Sequence, residues 1–161
     1  MFHLIYSPSG MRCNIRWMAS PSHLRVLLSD DHPIVRRGVR TILESSSEYE
    51  ICGEAGDGDQ TLELANRLRP DIVITDISMT PTNGLEVAQR LHSLLPDAKV
   101  LILTMHDSIE MLRAAAVAGA SGYLLKSDAE ELLVSALQSL SNGDRFVSPS
   151  FDSALVKQLF D

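Results

Sequence analysis

Along the chain, five short apolar runs alternate with five longer segments in which apolar residues recur every three or four positions. The runs are Leu24–Ser29, Tyr49–Ala55, Asp71–Asp76, Val100–Thr104 and Gly122–Lys126. Continuous apolar runs of this length, β-branched at Ile72, Val73 and Ile74, predict strands buried on both faces of a parallel sheet. Tyr49–Ala55 is more polar than the others, which predicts an edge strand. Between the runs, Ile34, Val35, Val39, Ile42 and Leu43 mark a first helix, and Leu62, Ala65 and Leu68 a second. Leu85, Val87, Ala88, Leu91, Leu94 and Leu95 mark a third, Ser108 to Ala118 a fourth, and Leu132, Leu133, Ala136, Leu137 and Leu140 a fifth. The punctuation agrees. Pro33 suits a first helical turn, the Gly56-Asp57-Gly58-Asp59 turn supplies a cap, Pro70 and Pro96 end helices, and Gly119 and Asn142-Gly143 close the last two. At the tail, Phe151, Leu155, Leu159 and Phe160 lie at helical spacing behind a Ser148 or Ser150 cap.

Strict alternation predicts an α/β chain with one parallel sheet and helices on both faces. Right-handed crossovers leave few topologies. A flavodoxin-like (βα)5 three-layer sandwich, strand order 2-1-3-4-5, brings the first and third strands together at the switch point, where ligands bind beyond the carboxyl ends.

Those carboxyl ends are polar. The first strand runs into Asp30-Asp31, the third into Asp76, the fourth into Thr104 and the fifth into Lys126. Asp is a common turn residue, and any one of these ends alone would read as loop chemistry. Three converging carboxylates are different, because they stay ionised together only around a cation. An all-oxygen set suits Mg²⁺ (or Mn²⁺), which keeps several waters and takes further ligands from phosphate. With Lys126 as a second positive charge and Thr104 as a hydroxyl donor, the group suits phosphoryl transfer.

A net charge of −7 argues against a nucleic-acid surface on this chain. Cys13 and Cys52 are too few for a disulfide framework and fit a reducing, cytoplasmic compartment. No stretch reaches the length of a membrane span. Residues 1–23 carry no acidic residue and no apolar period, and Met11 and Met18 are alternative starts. This segment reads as an over-long start or a disordered arm, with docking through Phe2 and Trp17 as the alternative.

Ser29-Asp30-Asp31-His32-Pro33, Asp76 with Gly84 downstream, Leu103-Thr104 and Gly122-Tyr123-Leu124-Leu125-Lys126 together resemble the receiver domain of a bacterial two-component response regulator. Asp-Asp-His-Pro, Val35-Arg36-Arg37-Gly38 and the Gly-Tyr-Leu-Leu-Lys run resemble the NarL/FixJ subfamily with its LuxR-type output. The resemblance implies a signalling switch, not a turnover enzyme. Asp76 would accept a phosphoryl group from a sensor histidine kinase, and the chain would catalyse only this transfer and a slow dephosphorylation. Asp31, Asp76 and the backbone carbonyl of Ser78 would hold Mg²⁺, with Asp30 acting mainly through water. Thr104 and Lys126 would bind phosphoryl oxygens, and Tyr123 would be the switch aromatic, turning inward when Thr104 moves. Ser78 and His106 occupy positions that tune acyl-phosphate hydrolysis. The implied domains are a receiver over 24–143 and a linker and helix over 144–161, leading to a helix-turn-helix output domain through which DNA would be bound. The chain is either an excised receiver or a stand-alone one. A homodimer that forms on phosphorylation is also implied.

One departure stands in the loop over the site. The usual Pro position, four residues after the acceptor, holds Thr80, and Pro81 follows, which implies an unusual loop path. Bland alternatives exist for each residue taken singly: a solvated strand-end Lys126, a strand-fitting Thr104, a packing Tyr123, a surface His106 and a solvated Arg36-Arg37 face. Two rival functions are a pseudo-receiver that is not phosphorylated and a haloacid-dehalogenase-type hydrolase. The hydrolase needs a second Asp two residues after its nucleophile, where this chain has Ser78.

Overall fold

A computed structural model describes residues 23–160 of the chain. The expectations for residues 1–22, including Phe2, Met11, Cys13, Trp17 and Met18, lie outside the described residues. Strands β1 (Leu24–Ser29), β2 (Tyr49–Ala55), β3 (Ile72–Thr75), β4 (Lys99–Thr104) and β5 (Gly122–Leu125) alternate with helices α1 (Pro33–Glu44), α2 (Gly58–Leu68), α3 (Gly84–Leu94), α4 (Ile109–Val117) and α5 (Ala129–Ser141). A sixth strand, β6 (Phe146–Val147), and a helix, α6 (Ser153–Phe160), follow. All pairings are parallel and the order is β2-β1-β3-β4-β5-β6. The predicted flavodoxin-like order holds, with β2 at one edge. The unexpected part is β6, which extends the sheet beyond β5.

The sheet divides the core in two because strand residues alternate between its faces. Leu27, Val73, Ile102 and Tyr123 pack on one side with Ala65, Leu91, Leu112, Phe151 and Phe160. Val26, Leu28, Ile72, Ile74, Leu101 and Leu124 pack on the other with Val39, Leu43, Leu133 and Leu137. Full burial of each large side chain contributes roughly 2 kcal/mol, so β3, with every residue buried, is anchored on both faces.

Local chemistry sets the helix starts. Asp57 caps α2 by accepting from the Gln60 amide, and Asn83 and Glu86 form a reciprocal capping box on α3. Ser108 caps α4. The tail helix is not capped by Ser148 or Ser150. Asp152 Oδ1 accepts from the Leu155 amide at 3.0 Å, while Ser148 is buried and bonded into the sheet. Its hydroxyl is spent on the Leu125 amide at 2.8 Å and its own amide on the Tyr123 carbonyl at 2.9 Å, so a cap role is closed to it. The fifth helix likewise starts through a 3-10 turn over Lys126–Asp128, without a side-chain cap from Ser127 or Asp128.

The loop after β3 is fixed by two close approaches. A Cβ on Gly84 would lie 1.9 Å from the Asp76 carbonyl oxygen, and one on Gly58 would lie 2.1 Å from the Thr82 carbonyl oxygen. Both obstacles are backbone, which cannot rotate away. Thr82 also donates its hydroxyl to Asp59 Oδ1 at 2.6 Å. Between these anchors the Thr80–Pro81 peptide is cis. Gly38, in the middle of α1, has nothing within 4 Å of the same added carbon. Gly84→Ala is therefore expected to destabilise the fold by about 2–3 kcal/mol through overpacking, whereas Gly38→Ala is expected to stabilise it by about 0.5–1 kcal/mol through helix propensity. Urea unfolding of the two variants beside the parent chain checks both signs.

Candidate phosphoacceptor site

Parallel pairing places the carboxyl ends of β1, β3, β4 and β5 on one edge of the sheet. Asp30 directly follows β1, and its amide donates to the Ala55 carbonyl at 3.1 Å. Asp76 directly follows β3, and its amide donates to the Ser29 carbonyl at 3.0 Å. Both side chains are almost fully buried. Lys126 directly follows β5 and reaches back over the edge. Its Nζ lies 2.9 Å from Asp30 Oδ2 and 3.3 Å from Asp76 Oδ2.

Burial disfavours the Lys126 ammonium, yet its close pairing with Asp30 and the charges of Asp76 and Asp30 outweigh this and hold its pKa above the ordinary lysine value. The carboxylates are oriented as well. Asp76 Oδ1 accepts the Ile77 amide at 2.8 Å, which stops the group from rotating freely. Asp30 Oδ1 accepts the His32 amide at 2.8 Å. Asp30 Oδ2 is buried and accepts no hydrogen bond of good geometry, so the ammonium is its one compensation among the described residues. Asp31 is exposed at the rim.

Ligand atoms of Asp30, Asp31, His32 and Asp76 all lie within 4.8 Å of one another. Three carboxylates this close, one with a buried oxygen compensated only by an ammonium, fit a hard divalent cation held by oxygen. His32 is the member that sequence reasoning missed. Its Nδ1 lies 2.8 Å from Asp31 Oδ1 and 3.2 Å from Asp30 Oδ1. The signal was available, since an imidazole two residues past Asp30 at a helix start points back at the strand end. Arg36 was also underread. It is half-buried and donates to the Asp30 carbonyl, while Arg37 is exposed.

The remaining predicted residues form a second group beside the first. Thr104 ends β4 and is fully buried. Its hydroxyl oxygen accepts the His106 amide at 3.2 Å, which leaves its proton free to be donated elsewhere. The His106 carbonyl accepts the Tyr123 phenol at 2.6 Å, and its Nε2 lies 2.8 Å from the Ser78 hydroxyl. Ser78 is exposed on the loop after Asp76. The structure thus joins Ser78 and His106, which the sequence places 28 residues apart.

Tyr123 sits inward in this structure. It is already fully buried, because the His106 carbonyl holds its hydroxyl and the Phe151 ring meets it edge-on at 5.6 Å and 87°. Burial, then the negative charges of Asp107 and Asp76, push its phenol up to about 12.

Known proteins carry the same architecture. Residues 26–138 match the family model described as "Response regulator receiver domain". The transcriptional regulatory protein DegU of Brevibacillus brevis is 33% identical over 135 residues, covering 84% of this chain and 57% of that protein. The nitrate/nitrite response regulator protein NarP of Escherichia coli (strain K12) is 37% identical over 131 residues, covering 81% of this chain and 61% of that protein. The chain therefore spans about three fifths of these relatives. A two-component response regulator of the LuxR family from Aurantimonas sp. SI85-9A1 superposes with TM-score 0.79 at 34% identity, covering 87% of this chain and all of that one. The isolated REC domain of RcsB from Salmonella enterica serovar Typhimurium, solved with phosphomimetic BeF3-, gives TM-score 0.74 at 27% identity, covering 87% and 100%.

The Lys126 bridge yields a stability prediction. Lys126→Met strands two buried carboxylates, so a loss of about 2–3 kcal/mol at neutral pH is expected in metal-free buffer, toward the low end for a partly exposed pair. A lysine whose folded pKa is raised contributes fully below its unfolded value of 10.5 and loses that contribution as pH climbs through the higher folded value. The gap between parent and variant in urea unfolding is expected to hold through neutral pH and to close above 10.5.

Proposed function

The chain belongs to the response regulator receiver domain family, and on that premise we propose that Asp76 is the phosphoacceptor of a signalling switch. One observation carries the reading: a buried Lys126 ammonium shared by Asp30 and Asp76, with Asp31 at the rim. The family match over residues 26–138 removes the reason for the hydrolase alternative.

The residues divide the chemistry. Asp76 Oδ1 is held by the Ile77 amide, so Oδ2 is the oxygen that attacks phosphorus as the bond to the donor's leaving group breaks. Lys126, 3.3 Å from that oxygen, follows the negative charge onto the incoming phosphoryl group. Thr104 donates its free hydroxyl proton to a phosphoryl oxygen. Asp31, Asp76 and the Ser78 backbone carbonyl would hold Mg²⁺ or Mn²⁺, with Asp30 acting mainly through water. When bound, the ion supplies charge neutralisation on the phosphoryl oxygens. The Ser78–His106 pair borders the approach to Asp76 and tunes how readily water reaches the acyl phosphate. Tyr123, tied to the His106 carbonyl, reports the state of Thr104 to the surface.

The donor in this reading is a phosphohistidine on a sensor histidine kinase. The receiver unit spans 24–143, and the rest of the protein carries a helix-turn-helix output domain that binds DNA and regulates transcription in the cytoplasm. Phosphorylation favours a homodimer. Among the described residues no helix is long and apolar enough to cross a membrane.

Intact-mass measurement after incubation with acetyl phosphate tests this directly. One added phosphoryl group is expected with Mg²⁺, none without it, and none in Asp76→Asn. Labelling of that variant at the parent rate would remove Asp76 from the role, and an unlabelled parent chain would leave the pseudo-receiver. Asp31→Ala is expected to weaken Mg²⁺ binding by tenfold or more, roughly the cost of losing one well-placed charged contact, read by isothermal titration.

A further inference from the structure

The phosphoryl-transfer reading leaves one group at the strand ends unused, the His32 imidazole. His32 is the N-cap residue of α1, yet its side chain makes no cap hydrogen bond. Its Nδ1 turns back toward the end of β1 instead, 2.8 Å from Asp31 Oδ1 and 3.2 Å from Asp30 Oδ1. The Asp30 carboxylate is divided between two sides. Its Oδ2 is buried against the Lys126 ammonium, while its Oδ1 faces His32 and is held there by the His32 backbone amide at 2.8 Å. The Arg36 guanidinium, a further cation at this strand end, is turned to the Asp30 backbone carbonyl and leaves the carboxylate oxygens alone.

We propose that His32 is a metal-ligating residue, and that with Asp31 and Asp30 it gives the site an affinity for divalent transition ions such as Co²⁺, Ni²⁺ and Zn²⁺ that oxygen ligands alone would not supply. This rests on the reading of Asp30, Asp31 and Asp76 as the cation site beside the phosphoacceptor, and it names a second class of ion for that site.

The spacing carries the argument. A six-coordinate shell with bonds of about 2.1 Å sets neighbouring donor atoms about 3.0 Å apart. The distances of 2.8 Å and 3.2 Å from Nδ1 to the two carboxylate oxygens bracket that value. The imidazole and both carboxylates can therefore take adjacent positions around one ion with the backbone left as it is. The two carboxylate oxygens are acceptors and Nδ1 carries a lone pair in one tautomer, so a shared proton or a metal ion is what reconciles atoms this close. Mg²⁺ gains little from the nitrogen, because it is hard and keeps its waters. Imidazole suits the later transition ions, whose affinity for such a set rises from Mn²⁺ to Ni²⁺. Access is open as well. The His32 side chain is 64% exposed, so an ion reaches it from solvent without any opening of the fold. Asp31 serves either ion, so the two classes compete for one site.

The experiment is isothermal titration of the 161-residue chain with Mg²⁺ and with Ni²⁺, the parent beside His32→Gln and Asp31→Ala. Glutamine keeps a polar side chain of similar length and removes the ring nitrogen. No cap bond is lost with it, so the fold is expected to stand. The Ni²⁺ bound at this site is the part that disappears in Asp31→Ala, which sets aside binding at the other histidines. In His32→Gln that part is expected to weaken by roughly tenfold or more, while Mg²⁺ affinity stays within about twofold of the parent. An equal loss for both ions would make His32 a residue that only orients Asp31, and would overturn the proposal. An unchanged Ni²⁺ affinity would overturn it too. Both of those outcomes leave the cation site itself standing. A parent chain that binds no Mg²⁺, or binds it undiminished in Asp31→Ala, would instead overturn the reading of the cluster as the cation site, and this proposal with it.

Discussion

One ammonium sits where three strand ends meet. Lys126 closes β5, and its charge is shared between Asp30 after β1 and Asp76 after β3. At about 3 Å and an effective dielectric of about 20, each pairing is worth roughly 5 kcal/mol in Coulomb terms. Stripping water from each ion costs several kcal/mol in return. The cluster is therefore close to neutral as a contribution to folding, and an apolar trio of the same volume would hold the sheet at least as well. Folding stability alone therefore gives no account of these charges at this edge. Asp30 Oδ2 shows the same thing at the level of one atom, since it is buried with no conventional donor and only the ammonium to compensate it.

The rest of the fold keeps that edge rigid. The central strands bury side chains on both faces, so a one-residue slip would exchange the side chains packed into two close-packed cores and disrupt both. The loop beyond Asp76 is held by contacts that admit no side chain. Gly84 lies against the Asp76 carbonyl, and Gly58 lies against Thr82. The Asp76 backbone is thus held by the close approach of Gly84, and its carboxylate by the Ile77 amide at Oδ1. Preorganisation of this kind lets positioning and charge do most of the work in phosphoryl transfer.

Much of this was legible because it is periodic or terminal. Alternation of short apolar runs with helical segments determines a parallel α/β sandwich, and the sheet order follows from handedness and the need to bring Asp30, Asp31 and Asp76 together. The polar strand ends were visible as soon as the strands were. What stayed hidden depends on side-chain direction across distant segments. Nothing in the sequence says that His106 reaches Ser78, because both lie in loops and neither has a period. Phe146-Val147 is too short to register as a strand, yet two residues suffice when the β5 edge is waiting for a partner. Ser148 looked like a helix cap because serine commonly is one, but the unpaired Leu125 amide at the end of β5 claimed its hydroxyl. The place of Tyr123 three residues before Lys126 was legible. Its buried position was not, because the ring that holds it there comes from Phe151, 28 residues further along the chain.

That last point alters what a switch in this fold has to do. A ring that begins exposed gains apolar burial by turning inward, which favours the inward state by itself. Tyr123 is fully buried in this structure, so this conformation already holds that burial energy. The polar contact its hydroxyl makes is to the His106 carbonyl. A phenol held up to about 12 is a neutral donor at any physiological pH, so this bond does not titrate away. Any displacement of the loop after β4 must then be met by movement of the ring, by loss of the bond, or by both. Loss of a buried hydrogen bond costs about 1–3 kcal/mol when the hydroxyl is left unpaired, and moving the ring also forfeits its burial against Phe151 and about 1 kcal/mol of edge-to-face contact.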